Sequence, residues 1–421
     1  MNRPFAVIGF SMFFSLIAAV FIELKGAIIA VAICVLFLLL FILVLRKRAF
    51  GKYITITASV LTVFLSMILY SVSYMINYQE IQSLDGEKIV ITGEVLDYPE
   101  KNYGNYYYTV KIDTVEKGED TLDLSNFKTR ISSPKPVVCE PHDSIKTEVK
   151  FFKHKDSYGL SSKSSRLAQG IKIGSYMSGY NIEVIENQDK PIIYYLKEFS
   201  NSASDKLFLN LPKNEASLIS AILLGKRDLV SDEVISDFRM SGISHLLAVS
   251  GLHLVIVIGL LSMFLKKLKL NRSVQCIISI IGTFFFIVIS GMQSSIIRSG
   301  IMMIILLFAN LVSRESDALN SLGFAVILMC ISNAFIGGDV GFIMSVMATL
   351  GIILFSSRIE NFFLQPFCRN ERLYKFFKPI ISGLAVGCSA TILILPVQIY
   401  LFGNISIFSA IVTLILSIPV T

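Results

Sequence analysis

Long apolar runs without a charge recur along this chain and set its architecture. Three open it, at Pro4–Ile22, Gly26–Leu45 and Tyr53–Gln79. A long polar stretch follows. Apolar runs then return at Met240–Leu265, Ser273–Ser290, Ser294–Val312, Ala318–Ile336, Val340–Ser357, Pro379–Leu401 and Ile405–Thr421. About 20 such residues span a bilayer as a helix. The pattern therefore predicts a mainly α polytopic membrane protein with about ten transmembrane helices. The polar insert alternates differently. Lys88–Tyr98, Asn105–Glu116, Phe127–Ser132, Asp143–Phe152, Leu167–Met177 and Asn181–Glu186 are short and rich in β-branched and aromatic residues, with Asn, Gly, Pro and Asp turns between them. They read as strands of a small β-barrel, for which an OB-like barrel is one candidate. Beyond Ile192 the period becomes helical, with amphipathic pieces at Ile192–Leu209 and Asn214–Leu224.

Four regions follow: three spans over 1–79, a barrel over 80–190, amphipathic helices at the outer membrane face over 191–240, and a second membrane domain over 241–421. The last apolar run reaches Thr421 with no polar tail, which reads as a truncation.

Composition and charge sharpen this picture. Apolar residues make up 53% and charged residues 16%, too little polar surface to coat a soluble globule, and collagen, coiled coil, disulfide scaffold and general disorder are excluded. The net charge of +7 is uneven: residues 80–200 hold 16 Lys/Arg against 19 Asp/Glu, so the basic excess belongs to the membrane part. That excess orients loops and is no fingerprint of nucleic-acid binding. With Arg46–Lys52 taken as cytoplasmic, alternation puts 14 Lys/Arg in inner loops and one in the short outer loops. The barrel then faces out, both termini face the cytoplasm, and the apolar start is a retained helix rather than a signal peptide. Of the six cysteines, Cys139 alone lies in the polar insert, so no disulfide forms within it. No cofactor or zinc-type spacing is present.

Ionisable groups inside apolar runs are the candidate chemistry, because they are costly in a membrane and usually face protein or a water-filled cavity. His245, Ser250 and His253 interrupt one run between Gly242 and Gly251, and Ser250 and His253 share a helical face. Four readings stay open. A Ser–His nucleophile would need an orienting acid, and no carboxylate lies in the run. A metal site would need a third ligand, leaving carboxylates such as Asp237, since His142 and His154 belong to the barrel. The histidines could serve only to bond helices together, or they could line a pathway at a helix break. Arg298 stands alone among apolar residues, either snorkelling to the outer interface or meeting an anion in a cavity, with Asp339 as a candidate ion-pair partner. Tyr103, Tyr106, Tyr107 and Tyr108 could stack bases but more simply fill strand positions. Lys146–Lys172 is a locally basic stretch of the kind that usually forms a solvated face. Gly225-Lys226-Arg227-Asp228 lacks the first Gly and the Ser/Thr of a phosphate loop.

Leu223-Leu-Gly-Lys-Arg-Asp-Leu-Val230, followed by Gly242-Ile-Ser-His-Leu-Leu-Ala-Val-Ser-Gly-Leu-His253, resembles the signature of the ComEC family of competence proteins. Further similar segments are Gly291 with Ser294-Ser-Ile-Ile-Arg-Ser299, Arg314 with Ser316–Leu322, Gly341-Phe342 with Ser345, and Phe402–Ser406. The resemblance covers essentially the whole chain. It implies an inner-membrane channel that passes single-stranded DNA into the cytoplasm during natural transformation, with an OB-like extracytoplasmic domain. It also implies a DNA receptor outside, a cytoplasmic motor or DNA-binding protein inside, contact with membrane lipids, and a homo-oligomer as one arrangement. His245, Ser250, His253 and Arg298 are then pore candidates, with Lys226 and Arg227 near the outer mouth. Ile343 replaces a frequent Gln after the Gly-Phe pair, which argues against a polar role there. The metallo-β-lactamase-like domain of many members has no counterpart motif in this chain, so the expectation is a pore and no enzyme. The competing expectations are a membrane-embedded hydrolase using Ser250 and His253, and a small-solute transporter.

Overall fold

The computed structural model describes residues 3–22, 54–102, 104–117, 120–122, 126–154, 162–241, 247, 249–313, 315–367 and 371–402. They group into two compact units, one of residues 10–201 and 327–340, the other of residues 2–9, 202–326 and 341–421.

The first unit contains most of α1 (Pro4–Ile22), α2 (Ile54–Tyr74) and a closed five-stranded barrel. The barrel strands are β1 (Lys88–Val95), β2 (Asn105–Lys117), β3 (Phe127–Ser133), β4 (Ser144–Phe152) and β5 (Ile171–Ile185). Around the ring the order is β1-β4-β5-β3-β2 and back to β1, with β3 and β5 parallel and every other pair antiparallel. Strict alternation drives closure: on β1, Ile89, Ile91 and Val95 point in, and β4 sends in Ile145, Val149 and Phe151. Tyr108, Ile112, Phe127, Ile131 and Ile173 complete this core. Gly93 marks a bulge at which a Cβ would stand 2.5 Å from the Lys111 carbonyl oxygen.

Two of the expected strands are one. The Leu167–Met177 and Asn181–Glu186 segments join in the long β5, which absorbs the intervening Gly179 by a register shift against Thr147–Val149 of β4. Leu167 itself belongs to a short helix, α3 (Ser162–Ala168). The barrel's far end is tied to α4 (Ile192–Asn210) by polar contacts: Lys190 and Tyr194 both meet the Glu140 carboxylate, and Lys197 bonds Asp97 at 2.8 Å. The Lys190 ammonium holds the Glu140 carboxyl below its usual range. On the membrane side, Asn333 Nδ2 donates to the Ala168 carbonyl at 2.6 Å, and the turn Ile336–Gly338 wedges its glycines against Leu16 and Ser164.

The second unit holds α5 (Lys213–Leu224), α6 (Asp232–Met240), α7 (Gly251–Lys267), α8 (Arg272–Ile289) and α9 (Ser294–Leu311). It also takes the first part of α10 (Ala318–Ser332), nearly all of α11 (Val340–Leu364), and α12 (Glu371–Phe402). α7, α8 and α9 pack as a triplet: Leu254, Ile258 and Leu307 share a core, Leu261 fills the notch at Gly282, and Ile287 fills that at Gly300. The first turn of α1 docks on α10, where Arg3 pairs with Asp317 at 2.9 Å and the Asn320 amide oxygen accepts the Phe5 N–H at 3.0 Å.

Among the described residues, six helices are long and apolar enough to cross a membrane: Pro4–Ile22, Thr55–Tyr74, Arg272–Ile289, Ser294–Leu311, Val340–Phe367 and Glu371–Tyr400. The protein is a helical membrane protein carrying a barrel, and six of the ten expected spans are found among the described residues. Gly26–Leu45 and Ile405–Thr421 lie outside the described residues. The run Ala318–Ile336 yields only the 15-residue α10. The run Met240–Leu265 is no single helix, since α6 ends at Met240 and α7 begins at Gly251. Hydropathy counts apolar residues and is blind to a helix start set by a capping serine.

Candidate pore-lining site in the helical unit

The site is built where the start of α7 meets α9. Ser250 is the N-cap of α7, its backbone extended at φ −113° and ψ 165°. It forms a reciprocal cap with His253, the third residue of the helix. The Ser250 N–H donates to His253 Nδ1 at 3.0 Å, and Ser250 Oγ lies 3.2 Å from the same nitrogen. Because Nδ1 accepts, the proton of the neutral ring belongs on Nε2. His253 is 5% exposed, and its Nε2 is buried with no hydrogen-bond partner among the described residues. Ser250 and His253 do meet, but as cap and third residue and not on a shared helical face, because Ser250 stands outside the helix, and the contact satisfies helix-end N–H groups. His245 lies outside the described residues.

α9 carries the facing side. Ser295 Oγ donates to the Val249 carbonyl at 3.1 Å, pinning the segment before the cap. Ser299 Oγ returns its proton to the Ser295 carbonyl at 2.6 Å, and a Cβ on Gly251 would stand 2.9 Å from Ser299 Cβ. The small residues that flank Arg298 thus let α7 approach closely. Arg298 itself is 7% exposed. Its Nε donates to Ser345 Oγ on α11 at 3.0 Å, and Nη1 reaches Met302 sulfur at 3.6 Å. Among the described residues no carboxylate pairs with it. Of the two readings for Arg298, burial speaks against snorkelling: this guanidinium points into protein, held by neutral groups.

Lys226 and Arg227 follow Gly225, which ends α5 in the left-handed region at φ +77°. A Cβ at Gly225 would run into the Ser290 carbonyl, and Gln293 Nε2 donates to the Gly225 carbonyl at 3.4 Å, so this loop sits on the α8–α9 turn. Lys226 is half-buried and Arg227 is exposed at the start of the turn Arg227–Leu229. Asp339 belongs to the other unit, where its N–H closes the turn Ile336–Gly338 on the Ile336 carbonyl. Ile343 is buried at 4% exposure, in keeping with an apolar role. The resemblance named Ser345 but did not pair it with Arg298, and nothing in the sequence pointed to Gln293 on the Gly225 loop. Neither residue breaks a pattern in its own segment.

A buried cation costs several kcal/mol unless an anion or several dipoles answer it. Arg298, with one hydroxyl and one thioether on it and hydrogen-bond donors to spare, is equipped to receive a phosphate or carboxylate oxygen.

Residues 222–421 match the family model described as Competence protein. ComE operon protein 3 of Bacillus subtilis (strain 168) is 25% identical over 233 residues, a match that covers 55% of this chain and 28% of that protein. No solved structure matches the chain. The matched segment runs from the last turns of α5 onward and takes in Gly225, the Ser250–His253 cap, Arg298 and Ser345 alike. These two matches support a ComEC family competence protein, and the chain spans less than a third of the length of that relative.

Proposed function

We propose that this chain is the membrane-embedded part of a pore that passes single-stranded DNA into the cytoplasm during natural transformation. Its family supports a role in competence, and the buried Arg298 is the observation that carries the pore reading. DNA is a polyanion entering a compartment that is negative inside, so each unscreened charge is opposed by roughly 2.3 kcal/mol per 100 mV. A guanidinium held by a serine hydroxyl and a methionine sulfur offers a passing phosphate two parallel hydrogen bonds without a fixed counterion to displace. His253, Ser250 and His245 add neutral polar groups to the path, while Lys226 and Arg227 raise the local phosphate concentration at the outer mouth. Movement needs no covalent step from these residues. The chain carries no nucleotide-binding motif, so directional work falls to a cytoplasmic motor or DNA-binding protein, with a receptor delivering DNA outside and lipid around the spans. A homo-oligomer is compatible with this arrangement.

In this reading the barrel is OB-like and extracytoplasmic. Its ring order and its parallel β3–β5 pair support the first point. Sidedness supports the second. Arg3 meets Asp317 beside the loop assigned inside, whereas the Gly337–Asp339 loop assigned outside meets α3 of the barrel unit.

A second reading, a membrane-embedded hydrolase, draws on the Ser250 Oγ to His253 Nδ1 contact. DNA uptake per cell at matched protein level separates the two. A phosphate-binding pore predicts that Arg298→Ala lowers uptake about tenfold or more, that Arg298→Lys also loses function because a point charge lacks the planar fork, and that Ser250→Ala keeps a larger share. Full activity in both Arg298 variants refutes the pathway role. Complete loss in Ser250→Ala alone favours the hydrolase.

A further inference from the structure

A cleft in the first unit is lined by none of the pore candidates. It measures about 350 Å³ with its open mouth included and lies where α1 and α2 meet α3. Val20 and the rings of Tyr70, Tyr74 and Phe335 form apolar walls, and Lys163 and Ser164 of α3 line the polar part. The aromatic wall is continuous: Tyr70 stands edge-on to Phe335 at 5.5 Å, Tyr74 stacks obliquely on Tyr78 at 4.8 Å, and the Lys163 ammonium lies 5.7 Å from the Tyr78 ring centre. Among the described residues that line the cleft, Lys163 carries the charge.

Position supplies the second observation. Val20 is near the end of α1, and Tyr70 and Tyr74 close α2, so the cleft is level with one end of both spans. Around that end Phe21, Ile22, Val72, Met75 and Ile76 are exposed, as a lipid-facing surface requires. Ser15 Oγ donates to the Val63 carbonyl at 3.4 Å, so α1 and α2 are in contact below the cleft. Tyrosines at the ends of spans mark the headgroup level of a bilayer, and a basic residue in a pocket between spans recognises an anionic headgroup.

We propose that this cleft holds an anionic phospholipid, its phosphate against Lys163 and Ser164 and its acyl chains running along the α1–α2 seam past Val20. The barrel would then rest on the spans partly through a bound lipid. The shared chemistry is a phosphate, which a lipid or a free anion could supply, and the apolar walls favour the lipid. The full chain in neutral detergent is examined by native mass spectrometry with added phosphatidylglycerol or phosphatidylcholine. One phosphatidylglycerol is expected to be retained in preference to phosphatidylcholine. Lys163→Gln should weaken it about fivefold, and Lys163→Arg should keep it. Lys128→Gln, on the outer face of β3, should change nothing. Equal retention of the two lipids, unchanged binding in Lys163→Gln, or displacement by millimolar inorganic phosphate would each overturn the proposal.

Discussion

Single residues decide how closely the segments of the helical unit approach. Gly225 and Gly291 both sit at positive φ, +77° and +78°, so alanine at either position costs roughly 1–2 kcal/mol in backbone conformation. They differ in what surrounds them. A Cβ on Gly291 meets nothing within 4 Å, whereas one on Gly225 meets the Ser290 carbonyl, which belongs to backbone and cannot swing aside. Gly225→Ala is therefore expected to lower the thermal midpoint in detergent clearly more than Gly291→Ala, and to impair uptake as well. Equal shifts would show that conformation alone is at stake. Arg298 makes a related point about legibility. Its rarity in an apolar run was visible in the sequence, but its direction was not. Snorkelling and burial require the same residue at the same place, and only the burial of Arg298 and its bond to Ser345 on α11 distinguish them.

At the level of elements, the barrel joins a local pattern to a long-range pairing. Alternation in β1, β2, β3 and β4 was legible because each strand has one face in the core and one in water. The length of β5 was not, since its bend at Gly179 depends on β4 opposite. His154, just beyond β4, shows what such packing does to chemistry. Its ring lies edge-on to Phe152 at 5.9 Å and covers Gly174, and its Nε2 is buried with no partner among the described residues. Burial first, and then the nearby Arg166, push its pKa down from 6.5 to about 4. The folded state thus resists a proton that the unfolded chain accepts, so the barrel's stability is full above pH 6.5 and declines as pH falls towards about 4. For the excised barrel, residues 80–190, His154→Leu should remove part of that decline. The wild-type midpoint should drop by roughly 5 °C more than the variant's between pH 7 and pH 5. Parallel curves would mean that His154 is solvated. Cys139, half-buried beside the barrel core, is raised by burial and then by Asp143 to about 11, and should alkylate slowly at neutral pH.

For the whole molecule the open question is sidedness. Within one unit Arg3 meets Asp317, and within the other Asn333 meets Ala168, contacts that either orientation in the membrane would keep. In a background freed of native cysteines, Asp113→Cys on the barrel should be labelled from outside intact cells by a membrane-impermeant maleimide. Lys269→Cys, between α7 and α8, should be labelled only after permeabilisation. The reverse pattern would invert the topology and remove Lys226 and Arg227 from the outer mouth.

Much of this protein was decided locally. Membrane class, the insertion of a β domain, and the places where α4, α5, α8 and α9 begin follow from hydrophobic period, and period survives whatever the neighbours are. Contacts between distant segments were decided only by tertiary structure. The start of α1 finds Asp317 and Asn320 more than 300 residues away, Gly225 finds Ser290, and Arg298 finds Ser345. The apparent span at Met240–Leu265 became a helix break for the same reason. Periodicity reports which face of a segment avoids water, but which partner covers that face, and whether a buried polar group meets lipid, protein or a passing anion, depends on residues that the local pattern does not contain.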